Sequence, residues 1–302
     1  MAVAQGSILV AGAINTDLVA TVTRAPAAGE TVTGTGFSIH GGGKGANQAV
    51  AVARSGGDTC LVGAVGVDQF GRDRTNGLRA DGIDISWVMV NEHQPSGVAL
   101  ILVEDGGENR IAYVPGATLT VPPAYMKTVF SEIQPLFVLA TNELPHSVLS
   151  VLFTAARNAG ATVVFNATPD PEKARDLIRD VSILIVNSGE AAVLLDMEDI
   201  VDTEDAVASL LKLGPGTVIL TLGPDGACFG TGNEVAWHRP PGVVVVDTTG
   251  AGDTFCGAFV AEMARGASID EAVRYGVVAS ALAVTRMGAQ PSIPTRDEIL
   301  RR

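Results

Sequence analysis

The chain has 302 residues, of which 47% are hydrophobic and 18% are charged, which excludes an intrinsically disordered protein and allows one large α/β domain. Its formal net charge is −13, and because an acidic surface repels phosphate backbones we do not expect nucleic acid as a partner. Its three cysteines are too few for a disulfide framework and indicate reduced thiols and a cytoplasmic location.

We expect no membrane partner either. No apolar run is long enough to cross a bilayer, and the apolar segment from Met1 to Ala13 lacks the basic leading residues of a signal peptide.

Short apolar runs, rich in β-branched residues, alternate along the chain with segments of helical periodicity. The runs are apolar on both faces, as buried parallel strands are; they are Ser7–Ala11, Thr59–Val65, Leu136–Ala140, Thr162–Asn166, Ile183–Val186 and Thr217–Leu222. The clearest helical segments are Asn47–Arg54, Gly71–Asp81, Ser147–Asn158, Glu190–Leu195, Ala251–Arg265 and Ile269–Thr285. The alternation predicts an α/β fold with a parallel sheet that helices cover on both faces.

Two segments break this pattern. Asp17–Ile39 and Gly97–Tyr113 alternate polar and apolar residues, and Asp105-Gly106-Gly107 is a hairpin signal within the second segment. They predict a small antiparallel sheet with one wet face, which projects from the main body as a lid or a dimer contact. Because the sequence has no internal repeat or linker, we expect a single domain over 1–302, with lid strands inserted at about 15–40 and 97–115.

The first glycine cluster is Gly41–Asn47, where a helix is expected to begin. It is not a Walker A loop, because Ser38 stands where the first glycine is needed and Gly45 stands where Ser or Thr should follow the lysine. It matches the relaxed dinucleotide pattern G-x-G-x-x-A, but the strand before it alternates and is not a buried first strand. We interpret Lys44 as a ligand contact rather than as part of a flexible turn.

Several polar residues follow predicted strands, at the edge where ligands bind in parallel sheets. Asn15 and Asp17 follow the first strand, and either bind sugar hydroxyls or form an Asx turn or a helix cap. Glu143 is either a ligand contact or a solvated surface residue. Asn187 and Glu190 form a capping-box pattern that is compatible with a role for Glu190 in holding a Mg²⁺-bound water.

The most specific segment is Asp247–Phe255, in which two acidic residues flank Thr-Thr-Gly-Ala-Gly before an apolar helix. Small residues let backbone amides approach an anion, and the start of a helix adds its positive end. Asp253 lies beside this turn and can accept a proton. An anion hole beside a base is what the transfer of a phosphoryl group to a hydroxyl requires. Cys256 in the same helix is interpreted as packing rather than as a nucleophile.

With these motifs, the chain resembles the ribokinase branch of the phosphofructokinase-B sugar-kinase family. Gly41–Val50 matches one family signature and Asp247–Phe255 matches the other, and Gly29–Gly34 and Ala283–Pro291 also match. The resemblance implies a Rossmann-like three-layer α/β/α body with a β-sheet lid, often used as the contact of a homodimer.

The resemblance also implies an activity, namely ATP-dependent phosphorylation of the 5-hydroxyl of D-ribose. Asp253 would be the general base, with an anion hole formed by Gly250, Ala251 and Gly252. Besides Asp253, the sugar would be held by Asn15, Asp17, Gly43, Lys44, Asn47 and Glu143. The ATP site would be lined by Asn187, Glu190, Thr221, Gly223, Asp225, Gly226 and Gly252, with Glu190 organising Mg²⁺ through water. A K⁺ site would use Asp247, Thr249, Ala283, Arg286, Gly288 and Ser292, mostly through backbone carbonyls.

Three alternatives stay open at this point. A nucleoside kinase or another sugar kinase of the same family would share the motifs, although a base needs an aromatic slot and the lid segments offer little beyond Phe37 and Tyr113. A non-catalytic sugar-binding protein would not require the base Asp253. A dinucleotide-dependent oxidoreductase rests only on the weak glycine pattern.

Overall fold

The computed structural model describes residues 7–232 and 234–302, so the first six residues of the apolar leading segment lie outside it. It contains two β-sheets. The strands are β1 (Ile8–Ala11), β2 (Asn15–Val22), β3 (Gly34–Gly42), β4 (Thr59–Gly66), β5 (Val88–Asn91), β6 (Gly97–Glu104), β7 (Asn109–Val114), β8 (Phe137–Thr141), β9 (Thr162–Asn166), β10 (Ile183–Asn187), β11 (Thr217–Thr221), β12 (Ala227–Thr231) and β13 (Glu234–His238).

The helices follow most of the strands of the larger sheet. They are α1 (Lys44–Arg54), α2 (Gln69–Ala80), α3 (Pro123–Ile133), α4 (His146–Ala159), α5 (Pro171–Ile178), α6 (Ser188–Leu194), α7 (Thr203–Leu211), α8 (Ala251–Ala264), α9 (Ile269–Ala283), α10 (Ala289–Ser292) and α11 (Arg296–Leu300). Within the described ranges, no helix is both long enough and apolar enough to span a bilayer.

The larger sheet has nine strands in the order β13-β12-β11-β10-β9-β8-β1-β4-β5. Its strands from β11 to β5 are parallel, and β12 and β13 add an antiparallel edge. Successive residues of β1 point to opposite faces: Leu9 and Ala11 join one core cluster, whereas Ile8 and Val10 join the other. This confirms the predicted parallel sheet with helices on both faces.

The smaller sheet, which we call the lid sheet, has the order β3-β2-β6-β7. Its two outer pairs are antiparallel as predicted, but its central pair, β2 with β6, is parallel. The all-antiparallel prediction was therefore wrong. The reason is topological: after β2 and β3 the chain passes through α1, β4, α2 and β5 before it reaches β6, and such a long crossover lets β6 enter the lid sheet in the direction of β2.

The carboxyl ends of the parallel strands gather the predicted polar residues at one edge. β1 leads through a short turn to Asn15, and β8, β10 and β11 end beside Glu143, Asn187 and Thr221. The lid sheet begins at the same edge. Its strand β2 leaves the main body at Asn15, and β3 returns to the main body at Gly42. Ligand sites of parallel α/β sheets form at this edge.

Candidate active site

The glycine turn between β3 and α1 is built against the end of β1. Gly43 has φ of 88°, and a Cβ there would lie 2.5 Å from the carbonyl oxygen of Ala13, so only glycine fits. The weak dinucleotide pattern is thereby explained differently, since the strand that precedes it belongs to the lid sheet and not to the main sheet.

The carboxylate of Glu143 sits on this turn. Its Oε2 accepts hydrogen bonds from the backbone N–H groups of Ala13 (2.8 Å) and Gly45 (3.0 Å) and from the hydroxyl of Thr141 (2.9 Å). Its Oε1 accepts from the N–H of Lys44 at 3.0 Å. A negative charge at the amino terminus of α1 is favourable, so Glu143 fixes the turn on which the predicted ligand residues are mounted. Its predicted contact with sugar stays a prediction.

Asp253 lies in the first turn of α8 and is 6% exposed. Its carboxylate accepts two side-chain hydrogen bonds from α1: Nδ2 of Asn47 donates to Oδ2 at 2.9 Å, and Nε2 of Gln48 donates to Oδ1 at 3.0 Å. The same Nε2 of Gln48 also donates to Oδ1 of Asn166 at 3.0 Å. Two neutral donors hold this carboxylate in one orientation without pairing it with a fixed cation.

Lys44 supplies a positive charge to the same region. The carboxylate of Asp253 raises the pKa of the Lys44 ammonium most strongly, and those of Glu143 and Glu190 raise it further. The burial of Lys44 opposes this effect only in part. Lys44 is therefore charged at neutral pH and lines the pocket in front of Asp253. A half-buried cation near several carboxylates is suited to an anionic ligand that brings its own metal ion.

The side of the site next to the lid sheet carries unused acceptors. The Oδ1 atoms of Asn15 and Asn47 are buried and find no hydrogen-bond partner within residues 7–232 and 234–302. Burial raises the pKa of Asp17 to about 6, and the carboxylates of Asp253 and Glu143 act in the same direction. Buried acceptors without partners are costly, which indicates that a ligand with several hydroxyl groups completes them.

A polar pocket of about 230 Å³ opens in front of Asp253. Its lining comes from five separate parts of the sequence and includes the predicted base, anion-hole and several nucleotide residues: Lys44, Asn166, Thr168, Ile185, Asn187, Glu190, Thr221, Thr248, Gly250, Ala251, Gly252, Asp253 and Cys256. Cys256 is 1% exposed, and burial raises the pKa of its thiol well above the ordinary value, so it is not a nucleophile at neutral pH.

The predicted anion hole has the required local structure. Gly250 caps α8 with φ of 75°, and a Cβ there would lie 3.0 Å from the Cα of Ala289. The first residues of an α-helix have N–H groups without intrahelical partners, and Gly252 and Asp253 occupy such positions in α8. Their amides and the positive end of this helix lie at the polar pocket.

An apolar cavity of about 510 Å³ adjoins the polar pocket and shares Thr221, Thr248, Ala251 and Gly252 with it. Of the predicted nucleotide residues, Gly223 and Gly226 line this cavity, whereas Asp225 is exposed in the same short turn. Its apolar walls come from the segment before Asp247 and from α8 and α9: Pro240, Pro241, Val243, Val245, Phe255, Val277, Ala281 and Val284. Such a slot suits a flat ring bound mainly by burial of apolar surface.

Asn187 and Glu190 form the predicted capping box at the start of α6. Oδ1 of Asn187 accepts from the N–H of Glu190 at 2.8 Å, and Oε2 of Glu190 accepts from the N–H of Asn187 at 2.9 Å. Both residues also line the polar pocket. A capping role and a ligand-binding role are therefore compatible, because the capping box uses only Oε2 of Glu190 and leaves Oε1 available for water or a ligand.

The residues predicted to bind K⁺ lie on two segments that meet beside the anion hole. Oδ1 of Asp247 accepts from the N–H and the hydroxyl of Thr249, and Oδ2 accepts from the N–H of Gly288 at 2.7 Å. These bonds outweigh the effect of burial and hold the pKa of Asp247 below its ordinary value. The carbonyl of Ala283 accepts from the N–H of Arg286, whose guanidinium pairs with Glu298. Ser292 is buried on α10.

Sequence reasoning missed several residues of the site. Gln48 donates to Asp253 and to Asn166, and these bonds orient the carboxylate of Asp253. The sequence did not predict them, because the residues they join are more than 100 positions apart. Tyr113 was noted only as an aromatic residue of the lid; the residue is 42% exposed, yet partial desolvation of its phenol and the neighbouring Glu143 raise the pKa of that group. The apolar cavity was also missed, because its walls come from irregular backbone and two helix faces.

Comparison with known proteins decides the family. A model of the pfkB family of carbohydrate kinases matches residues 5–296. The chain belongs to the pfkB carbohydrate kinase family. The family resemblance drawn from the two signatures is confirmed, and with it the prediction that the chain is an ATP-dependent sugar kinase.

Individual relatives cover almost the whole chain. A ribokinase of Schizosaccharomyces pombe is 39% identical over 97% of this chain and 96% of the relative, and one of Bacillus subtilis is 35% identical over 97% and 98%. A solved structure of Arabidopsis thaliana ribokinase complexed with ribose and ATP superposes with a TM-score of 0.90, at 30% identity and 98% coverage of both chains. The predicted three-layer fold with a lid is thereby confirmed.

Proposed function

We propose that this protein is a ribokinase, which transfers the γ-phosphoryl group of ATP to the 5-hydroxyl of D-ribose. The observation that carries the proposal is the position of Asp253, whose oriented carboxylate lies between the hydroxyl-binding side of the site and the polar pocket at the start of α8. The names of several relatives and the ribose and ATP complex of a structural neighbour support the same substrates.

In this reaction Asp253 acts as the general base. Asn47 and Gln48 aim its carboxylate, which takes the proton of the 5-hydroxyl while the sugar oxygen attacks the γ-phosphorus and ADP leaves. At the predicted anion-hole turn of Gly250, Ala251 and Gly252, the N–H of Ala251 donates to the carbonyl of Thr248, so the amides of Gly252 and Asp253, with the positive end of α8, stabilise the charge that develops on the transferred group. Lys44 adds a full positive charge at the same pocket.

The sugar is held on the lid side of the site. Asp17 and the unpartnered acceptors of Asn15 and Asn47 accept hydrogen bonds from ribose hydroxyls, which removes the cost of leaving these buried groups unpaired. The glycine turn at Gly43 lets the sugar approach the backbone, and Glu143 holds this turn in place and offers Oε1 to a hydroxyl.

The nucleotide spans the two connected pockets. The adenine ring fills the apolar cavity, which Gly223 and Gly226 line next to the exposed Asp225, and the phosphates run through the polar pocket. Thr221 lines both cavities. Asn187 and Glu190 border the phosphates at the other side of the polar pocket.

Two metal ions fit the donors that are present. Glu190 keeps one carboxylate oxygen outside its capping box, which suits a Mg²⁺ ion that retains its water ligands. Asp247, Thr249 and the carbonyl groups around Ala283, Arg286, Gly288 and Ser292 offer the uncharged and carboxylate oxygens that K⁺ takes. Held by Glu190 through water, Mg²⁺ would neutralise phosphate charge, and K⁺ held by Asp247 and Thr249 would place a positive charge beside the anion-hole turn.

A second copy of this chain is the proposed partner of the lid sheet. The face of the lid sheet that points away from Asp17 carries exposed apolar side chains, including Phe37 (68% exposed), Ile39 (48%) and Leu100 (49%). Pairing of two such faces buries this surface, and light scattering coupled to gel filtration tests it: the wild type should elute as a dimer and Phe37→Asp as a monomer. We place the reaction in the cytoplasm, where free thiols such as Cys60 stay reduced.

The Asp253→Asn variant tests the assignment of the base. It keeps the size of the side chain and should bind ribose, but kcat should fall by about 10³-fold or more, because the carboxylate that accepts the proton is lost. Asp176→Asn, at an exposed position of α5, is the matched control. Unchanged turnover in Asp253→Asn would refute the role of the base.

A substrate panel tests the identity of the sugar. ADP release is measured with ribose, deoxyribose, fructose, adenosine and inosine, with and without K⁺. Ribose should give the highest kcat/KM; a signal with a nucleoside and none with ribose would assign the chain to the nucleoside kinases of the same family instead.

A further inference from the structure

Arg74 of α2 is a charged residue that the reaction described above does not use. Its Nε atom is buried and has no hydrogen-bond partner in the described part of the chain, and no carboxylate there lies within 4.0 Å of its guanidinium. A partly buried arginine without a carboxylate partner carries a desolvation cost, so its position requires an explanation.

The guanidinium reaches the base of the lid sheet. A Cβ built on Gly41 would lie 3.0 Å from Nη1 of Arg74 and 2.1 Å from Oε1 of Gln290, so these two side chains occupy the space that a side chain at Gly41 would need. The neighbouring Gly42 is covered on its other side by Asp17, whose carboxylate oxygens would lie 2.2 and 2.3 Å from a Cβ there. Arg74 and Asp17 thus approach adjacent residues of β3 from opposite faces of the strand, so that only the backbone of the strand separates their charges.

Asp17 is the carboxyl group on which this charge acts. Its carboxylate accepts no hydrogen bond from the described residues, and the charged groups near enough to act on it are His40 from β3, Arg74 from α2, Asp253 from α8 and Glu143 from the segment after β8. The two carboxylates disfavour its ionised form, as burial does, whereas His40 and Arg74 favour it. His40 lies directly opposite Asp17 in the pairing of β2 with β3.

We propose that Arg74 is a positioning residue for sugar binding, which keeps Asp17 ionised at the base of the lid sheet and thereby sets the affinity for ribose. An ionised carboxylate accepts hydrogen bonds from two sugar hydroxyls, whereas a protonated one has lost part of this capacity. Arg74 does not touch the sugar, and its effect travels through the charge of Asp17. The inference rests on the proposed function, since it assigns Asp17 to the sugar.

The test compares Arg74→Met, which removes the charge at similar length, with Arg74→Lys, which keeps it. Ribose KM and kcat are measured from pH 5.5 to 8.5 at saturating ATP. Loss of a screened neighbouring charge shifts a carboxyl titration by about 0.5 to 1 pH unit, so KM of Arg74→Met should rise about two- to fivefold at pH 6 and less than about 1.5-fold at pH 8. We expect kcat to stay within about twofold, and Arg74→Lys to follow the wild type.

His40 also favours the ionised form of Asp17, so the comparison is repeated in the His40→Gln background. The shift caused by Arg74→Met should persist there. A KM increase that is equal at all pH values would show that Arg74 acts only through packing, and an unchanged KM would show that it has no role; either result overturns the inference.

A second measurement does not depend on turnover. In protein labelled with ¹³C at the aspartate side-chain carboxyl, the signal that disappears in Asp17→Asn reports the titration of Asp17 without any ligand. Its midpoint should move upward in Arg74→Met, and a midpoint equal to that of the wild type overturns the inference even if KM changes. If the wild type shows this titration but phosphorylates no ribose, the proposed function fails while the electrostatic link between Arg74 and Asp17 stands.

Discussion

Nε2 of Gln48 donates a hydrogen bond to Oδ1 of Asp253 at 3.0 Å, although the two residues are 205 positions apart in the sequence. Gln48 is fully buried in α1, and the same Nε2 also bonds Oδ1 of Asn166 at the end of β9. The side-chain amide of Gln48 therefore connects the proposed base in α8 both to α1 and to the end of β9 in the main sheet. Orientation of the base is a property of three separate elements.

Replacement of Gln48 by leucine removes this link while keeping a similar side-chain volume. The carboxylate of Asp253 then loses one of two orienting donors, and we expect kcat to fall about 10- to 100-fold, as small misplacements of catalytic groups do, with ribose KM changed less than about threefold. Steady-state kinetics measure both parameters. Gln69→Leu, on the exposed part of α2, is the control; a kcat equal to that of the wild type in a folded Gln48→Leu protein would contradict the prediction.

Local pattern predicted the framework but not the long-range partners. The run Thr162–Asn166 coincides with β9, because a short run centred on three buried apolar residues, Val163, Val164 and Phe165, leaves few other structures. Nothing in the sequence around Glu143 predicted that its carboxylate accepts a hydrogen bond from the N–H of Lys44, which lies 99 positions away. The direction of β6 was wrong because alternation fixes which face a strand buries and not which neighbour it pairs with.

Replacement of Glu143 by glutamine tests its role in holding the glycine turn. The NH₂ group of glutamine would have to face N–H donors of Ala13, Lys44 or Gly45, and the favourable interaction of a negative charge with the start of α1 would be lost. We expect the free energy of unfolding to fall by about 1 to 3 kcal/mol, measured by urea denaturation. Glu132→Gln, at an exposed position of α3, controls for loss of a charge, and equal stability of the two variants would argue against this role.

Glycine at 250 is required for two reasons. Its φ of 75° strains any other residue, and a Cβ would lie 3.0 Å from the Cα of Ala289. Gly250→Ala should therefore lose about 1 to 2 kcal/mol of stability, and kcat should fall by about 10²-fold or more, because the anion-hole amides move. Thermal unfolding and steady-state kinetics measure the two effects.

The matched control is Gly77→Ala in α2, where a Cβ meets open space. Alanine is the better helix former, so this variant should gain about 0.5 to 1 kcal/mol and keep full activity. If both substitutions had the same effect on stability, the backbone requirement at Gly250 would be disproved.

The raised pKa of Asp17 links ligand binding to a cost in stability. In the folded protein burial raises this pKa from 3.8 to about 6, so the folded state binds more protons than the unfolded state between these values, and stability falls as the pH rises through this window. Asp17→Asn removes the ionisation. The difference in free energy of unfolding between Asp17→Asn and the wild type should therefore increase with pH, in favour of the variant. Between pH 4.5 and pH 7.5 we expect this increase to be about 1 to 2 kcal/mol, after allowance for the partial exposure of Asp17.

The same substitution should weaken ribose binding by about tenfold or more, because a charged acceptor of hydroxyl groups is replaced by a neutral amide. Urea denaturation at the two pH values and ribose titration at pH 7.5 give the two results, and Asp176→Asn controls for removal of one negative charge. Opposite signs for stability and affinity are the signature of a group kept for its ligand. A stability difference that does not depend on pH would mean that Asp17 ionises in the folded protein as easily as in the unfolded chain, and the electrostatic description of the sugar side of the site would have to be abandoned.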